Sequence, residues 1–406
     1  VGGLTEARPA GWIGLVAVVT AIQAVLALMT RALPLFGLPL TLAAGVPPAA
    51  VGQLAAATSF GSMVFFLWGP ALAAGLPALR QLQAGSVLAG VAVLLCLSDH
   101  WGLILLAAFL IGVGYGPSAP AGSDLLMRAA PPARRALAFS VKQAGVPLGG
   151  LVAGLALPAV AIWGGVGMAL WLAALIAVAA AAALGLWRRA LNDPAAQIPT
   201  PGGMRCWRLL GAPARLLKLV LGSPELRTLT VAGLGLGAAQ GVVMGYFPVF
   251  LSDHAGWSLA AAGAAFALLQ GVGIGGRILM GWLSDRLGAP GRTLGWLCVA
   301  SATATALVAT IGPESPVLWI AFVAALAGLT IVSWNGVFLS HLASAAPAGR
   351  VGEATSAATF VLFASYVAGP LIVQAIVTVS GGYAAGFLAA GAAPLVAATI
   401  VLRRPA

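Results

Sequence analysis

Two arginines stand where arginine is expensive. Arg31 lies in an apolar stretch that opens after Trp12, and Arg277 lies in a glycine-rich apolar run from Gly271 to Trp282. A guanidinium stays charged at any depth, and its planar fork of donors fits a carboxylate or phosphate through two parallel bonds. Ionisable groups inside lipid are rare and usually functional, because desolvating them is costly. At about 1.5 Å of rise per helical residue, Arg31 falls roughly 28 Å from Trp12 and Arg277 roughly 12 Å from Asp285. Two interior cations without a facing acid favour an anionic ligand. The competing arrangements are a snorkelling Arg31 that reaches an interface and an Arg277 that clamps backbone carbonyls of neighbouring helices.

Tyr115, Gln240, Gln270, Asn335 and Tyr366 are the uncharged candidates for holding such a ligand, and each is equally able to bond one helix to another. Tyr246, Trp334 and Gln374 belong to the same group. Lys142, beside Gln143 at the start of an apolar run, reads as an anchor in the headgroup zone. The nine acids all fall in loops or near helix ends. No mid-span carboxylate with a burial-raised pKa is evident, so proton coupling through such a group is not expected. A proton carried with a carboxylate substrate, an exchanged counter-anion and uniport all stay open.

The elements that must carry these residues are set by composition. The 406 residues are 61% hydrophobic and only 7% charged, against roughly a quarter charged in soluble domains. The mean hydropathy is +1.04. Hydrocarbon must therefore touch most of the outside. Segments of about 20 apolar residues, the length of a membrane helix, fall near 12–41, 48–69, 79–97, 101–125, 136–158 and 166–187. Six more follow near 226–251, 258–283, 293–312, 316–344, 352–379 and 383–402. The expected fold is an all-α integral membrane protein of twelve transmembrane helices. The run after Trp12 reads as a first span rather than a cleavable signal.

Charge placement agrees with that count. The connections near 42–47, 98–100, 159–165, 252–257, 313–315 and 380–382 hold no Lys or Arg. Nearly all the basic residues fall in the alternate connections, and lysine and arginine collect on the cytoplasmic side of short loops. Both termini are thereby expected in the cytoplasm, with the chain in the inner membrane. The net charge of +11 is explained by this sorting rather than by nucleic acid. Cys96, Cys206 and Cys298 show no metal spacing and no paired framework.

The chain divides into an N-terminal six-helix half (1–190), a polar, basic cytoplasmic linker (191–225) and a C-terminal six-helix half (226–406). The halves repeat: Ala129-Ala130-Pro131-Pro132-Ala133-Arg134 is echoed by Ala345-Ala346-Pro347-Ala348-Gly349-Arg350. Six-helix repeats of this kind place a substrate cavity between them near the bilayer midplane.

Gly281-Trp282-Leu283-Ser284-Asp285-Arg286-Leu287-Gly288-Ala289-Pro290-Gly291-Arg292 resembles the signature loop of the major facilitator superfamily, and it falls between the eighth and ninth spans as the family requires. The resemblance implies a two-half secondary transporter in which Gly281, Asp285, Arg286, Gly288 and Arg292 form a conformational latch. Gly281 is expected to permit close helix contact. The first copy keeps Gly69 and Arg80 but no acid between them. Gly145-Val146-Pro147-Leu148-Gly149-Gly150 is similar to the antiporter motif of the fifth span but departs before Pro147, and reads as a bending and packing feature. Arg31…Pro39…Gly45 is similar to the first span of the family's anion transporters. Arg277-x-x-x-Gly281-x-x-x-Asp285 is similar to the eighth span of monocarboxylate and oxalate-formate transporters, in which the arginine binds carboxylate.

The combined expectation is a monomeric secondary transporter of a small, carboxylate-like organic anion, working by alternating access. Efflux of drugs or metabolites on the same fold is the alternative, with a non-transporting membrane sensor behind it. The acid-poor interior argues against cationic cargo. No Walker loop, zinc spacing, nucleophile elbow or dinucleotide fingerprint occurs in a suitable context, so no catalytic residue, metal or cofactor is expected.

Overall fold

The computed structural model describes residues 9–73, 76–131, 134–191, 220–346 and 351–403, with the isolated positions 214 and 218. Most of the expected linker, with Cys206, lies outside them, as does Arg350. Every regular element among the described residues is helical. Helix α1 (Pro9–Leu35) runs almost directly into α2 (Gly37–Ala43), and α3 (Val51–Leu72) and α4 (Ala78–Ala92) follow. Next come α5 (Trp101–Tyr115), α6 (Pro120–Ala129) and the long α7 (Arg135–Leu191). The second group is α8 (Pro224–Asp253), α9 (Leu259–Leu287), α10 (Pro290–Val308), α11 (Val317–Ile331), α12 (Asn335–Ala345), α13 (Val351–Ser380) and α14 (Tyr383–Leu402).

Among the described residues, ten helical segments are long and apolar enough to cross a membrane. One of them, Leu137–Gly185, contains non-helical Gly164 and Gly165, the latter at φ 76°. Its first part runs beside α1, with Gly149 against the Ala24 carbonyl, and its second part returns along α4, with Gly167 near Leu97 and Gly185 near Gln83. That segment counts as two crossings, and the 19-residue α10 supplies one more, making twelve. Exposed Trp163 (88%), Leu318 (83%) and Val379 (89%) lie on the outside, where water would penalise them and lipid does not.

Two crossings are broken in the middle, and the breaks correspond. α5 and α6 are separated by a 3-10 turn at Gly116–Ser118, which contains Pro117, and α6 opens with Pro120. α11 and α12 are separated by non-helical Val332–Trp334. α5 begins at 101 and α11 at 317, and α6 ends at 129 and α12 at 345, so each boundary repeats at a spacing of 216 residues. The sequence repeat is thus also a repeat of helix boundaries.

Successive crossings alternate in direction, so Arg80, Arg128, Arg135, Arg286 and Arg292 all fall at one end of the bundle, called here the basic end. Away from it the two groups of helices press together: α7 packs on α9, and α3 on α13 and α8. At the opposite end Tyr246, wholly buried on α8, hydrogen-bonds the carbonyls of Ala49 (2.8 Å) and Pro370 (3.3 Å). A side chain on Gly52 would collide with that hydroxyl, so glycine is what lets the helices close here. Tyr246 is therefore a closure residue rather than part of the interior site.

Candidate substrate site

The interior site is built around a three-donor knot on α8. Gln240 Oε1 accepts from Tyr366 Oη (2.7 Å, α13), from Trp334 Nε1 (3.1 Å) and from Asn335 Nδ2 (3.5 Å) at the α11–α12 break. Indole nitrogen can only donate, so this contact fixes which end of the Gln240 amide is oxygen. The amide nitrogen makes no hydrogen bond to a described residue. The knot holds three crossings together through one acceptor, and it depends on the interruption of α11–α12, which places Trp334 and Asn335 side by side.

Arg277 on α9 lies beside the same break. Its Nε donates to the Val332 carbonyl (3.2 Å), and its Nη1 crosses to the first group of helices and donates to the Gln143 carbonyl on α7 (2.9 Å). The clamp on backbone carbonyls is therefore real, and it spans the two groups. Arg31 on α1 is different. It makes no hydrogen bond to a described residue, and its Nε is sealed from solvent without a partner. Arg31, Arg277, Tyr115 and Tyr366 are all in electrostatic contact within one region, and no carboxylate among the described residues takes part. Each of the four is deep in the bundle yet partly open to solvent. That combination belongs to the wall of an internal, water-reachable recess. It also rules out an Arg31 that reaches the headgroups.

The structure thus brings together Arg31, Tyr115, Gln240, Arg277, Asn335 and Tyr366. Gln270 stands apart: it is 1% exposed, with Nε2 unpartnered against Gly150 of α7. Lys142 corrects the expectation of a headgroup anchor. It is 2% exposed, and its Nζ donates to the Ala119 carbonyl and Ser123 Oγ, both at 3.0 Å, inside the first group of helices. Among the described residues nothing lies within 4 Å of where a side chain on Gly281 would begin, so Gly281 makes no close helix contact in this conformation. Asp285, Arg286, Gly288 and Arg292 are exposed at the basic end. Gly288 ends α9 in the left-handed conformation (φ 58°), and Arg286 lies 5.2 Å over the Trp282 ring.

Four participants escaped the sequence reading. Gln143 contributes its carbonyl to Arg277 and its Oε1 to Gln23 Nε2 (3.0 Å). Gln23 itself is a polar residue within an apolar run, the same signal that marked Gln240. Phe66 and Phe363 form an edge-on pair (4.9 Å) between α3 and α13, and Phe363 also touches Tyr366 (5.3 Å). A pair of phenylalanines in a membrane sequence carries no signal.

Twelve crossings, two matched helix breaks and a polar recess shared between two groups of helices define a multi-pass membrane transporter. The family model for the Major Facilitator Superfamily matches residues 20–370, and the chain belongs to that superfamily. It is a secondary transporter of this type. Uncharacterised MFS-type transporters from two strains of Mycobacterium tuberculosis are 27% identical over 362 residues, covering 88% of this chain and 78% of theirs. Among solved structures, a bacterial homologue of the human lysosomal transporter Spinster, inward-facing and unoccupied, superposes with a TM-score of 0.76. It is 16% identical, with 97% of each chain covered. A peptide transporter, POT, in complex with sulfate gives 0.77 at 16% identity, over 99% of this chain and 95% of that one. These structures share the fold.

Proposed function

We propose that the chain carries a small, carboxylate-like organic anion across the cytoplasmic membrane by alternating access between residues 1–190 and 226–406. Both termini lie in the cytoplasm, and the basic end is the cytoplasmic face. The observation that carries the reading is a pair of interior guanidiniums in one solvent-reachable region, with no carboxylate among the described residues to neutralise them. An uncompensated charge in a low-dielectric interior is costly, and an anionic ligand supplies the missing charge. Arg31 offers its fork, the Gln240 amide nitrogen and Tyr115 offer further donors, and Asn335 and Tyr366 hold Gln240 in place. A coupling proton entering with the ligand or an exchanged anion completes the cycle, and the unit acts as a monomer. Gln270 acts at the α7–α9 contact, beside the path rather than on the ligand.

The purified protein is expected to show a thermal shift with monocarboxylates, dicarboxylates or organophosphates, since a ligand of the folded state raises apparent stability. Exchange in proteoliposomes should follow the same ranking. Arg31→Gln should abolish both responses, and Arg277→Gln should impair them. If both variants transport the best anion at the unmodified rate, the anion site is wrong.

A further inference from the structure

The two arginines are not equivalent in the structure. Arg31 has no protein partner among the described residues, and its whole fork is uncommitted. Arg277 has two of its three nitrogens occupied, one by a carbonyl of the second group of helices and one by a carbonyl of the first. The contact between α7 and α9 runs from Gly154 against Gly263, past Gly150 against Gln270, to Gln143 against Arg277. One turn further toward the basic end on the same face of α9, a side-chain carbon at Gly281 would meet nothing within 4 Å. The Arg277–Gln143 bond therefore sits where the contact ends.

We propose that Arg277 is an exchangeable strut. Without ligand it ties α7 to α9 through the Gln143 carbonyl. An anion seated on Arg31 draws Nη1 away from that carbonyl, because a charge-assisted bond to a carboxylate is stronger than a bond to a neutral amide oxygen. The Val332 bond keeps the arginine anchored to the α11–α12 break while its outer nitrogen changes partner. Arg31 then sets affinity, and Arg277 transmits occupancy to the junction of the two groups of helices. The Gln143 carbonyl, once released, is open to water in the recess. The inference rests on the anion-site reading for its ligand, while the strut itself is visible without one.

The experiment is a distance measurement by double electron–electron resonance. Labels go on Leu137→Cys of α7 and Leu279→Cys of α9, both exposed positions, with Cys96, Cys206 and Cys298 replaced by Ala. Without ligand, Arg277→Gln should lengthen and broaden the α7–α9 distribution, and Arg31→Gln should leave it as in the parent. Saturating lactate, succinate and glycerol 3-phosphate are then added in turn. At least one should move the parent toward the Arg277→Gln distribution, and in Arg31→Gln that shift should be absent at the same anion concentrations, because the ligand has lost its main anchor. If Arg277→Gln is too unstable to label, Arg277→Lys serves: a point donor satisfies one carbonyl but not both, and the unliganded distribution should lie between the other two.

An unliganded Arg277→Gln distribution identical to the parent's overturns the strut, even if anions still bind. A lengthened distribution in Arg277→Gln, with no anion altering the parent in distance or thermal stability, overturns the anion reading and with it the exchange step, while the tie between α7 and α9 stands. The two failures are thereby separable.

Discussion

The two broken crossings share one architecture and put it to different uses. At each break a cation from another crossing takes a main-chain carbonyl: Lys142 takes that of Ala119, and Arg277 takes that of Val332. Lys142 finishes its bonding inside its own group of helices, on Ser123, and is sealed. Arg277 reaches out of its group to Gln143 and stays partly open to the recess. An interior cation thus becomes a candidate for function through its connections and its access to solvent, not through burial alone. Lysine suits the closed arrangement, with a compact head on a flexible stem. Arginine suits the open one, because its fork holds two partners in fixed directions while keeping a third nitrogen free.

Replacing both cations by methionine tests that contrast directly. Arg277→Met should weaken the response to the best anion by about 2–5 kcal/mol, the usual cost of removing one member of a buried charged pair. Lys142→Met should leave the anion response intact. Its stability should change little, because a buried charge replaced by an apolar side chain of similar volume is often neutral or stabilising. Titration by thermal shift reads both. Loss of the anion response in Lys142→Met with the fold retained would erase the distinction between the two breaks.

The knot on Gln240 supplies the next effect. Gln240→Leu keeps the volume but strands Trp334 Nε1, Asn335 Nδ2 and Tyr366 Oη, and each buried orphan costs about 1–3 kcal/mol where water cannot reach it. The melting temperature should fall accordingly. Gln240→Glu keeps an acceptor for all three donors and should largely restore stability, while the added negative charge beside Arg277 should suppress anion binding. A Gln240→Glu variant that binds anions as the parent does would remove Gln240 from the site and leave it as helix glue.

Much of this was legible in the sequence, and the reason differs by feature. The twelve crossings and the sorting of basic residues follow from hydrocarbon thickness and loop charge, which act on single segments. Arg31 and Arg277 were visible because an arginine in an apolar run has no inexpensive explanation. The correspondence of the breaks was half visible: the echo of Ala129–Arg134 in Ala345–Arg350 gave the spacing, but only the helix ends show that Gly116–Ser118 and Val332–Trp334 are partners. Lys142 was misplaced because its depth could not be read from a position near the start of a crossing, and its carbonyl partner comes from a crossing broken by prolines. Gln143 escaped because the freeing of its carbonyl is written four residues on, at Pro147, which has no N–H to donate to it. The open space beside Gly281 was not legible, because its place in a motif gives no account of what stands opposite it in a given conformation.

The smallest expected effect lies at the opposite end, where Tyr246 makes a closure that shares nothing with the recess. Its hydroxyl has one proton and two carbonyls, at 2.8 Å from Ala49 and 3.3 Å from Pro370, so the shorter contact takes the proton. Tyr246→Phe removes that bond and leaves the ring packed edge-on against Tyr383 at 6.2 Å. The loss should be about 1 kcal/mol, the net worth of one hydrogen bond, read as a small fall in melting temperature with anion affinity unchanged. Gly52→Ala should cost more, because its added carbon meets both the Tyr246 hydroxyl and the Pro370 carbonyl and would force the helices apart. If Tyr246→Phe instead changed anion affinity as strongly as Arg277→Met, the closure and the recess would be one coupled unit, and occupancy would be sensed at both ends of the α8 crossing.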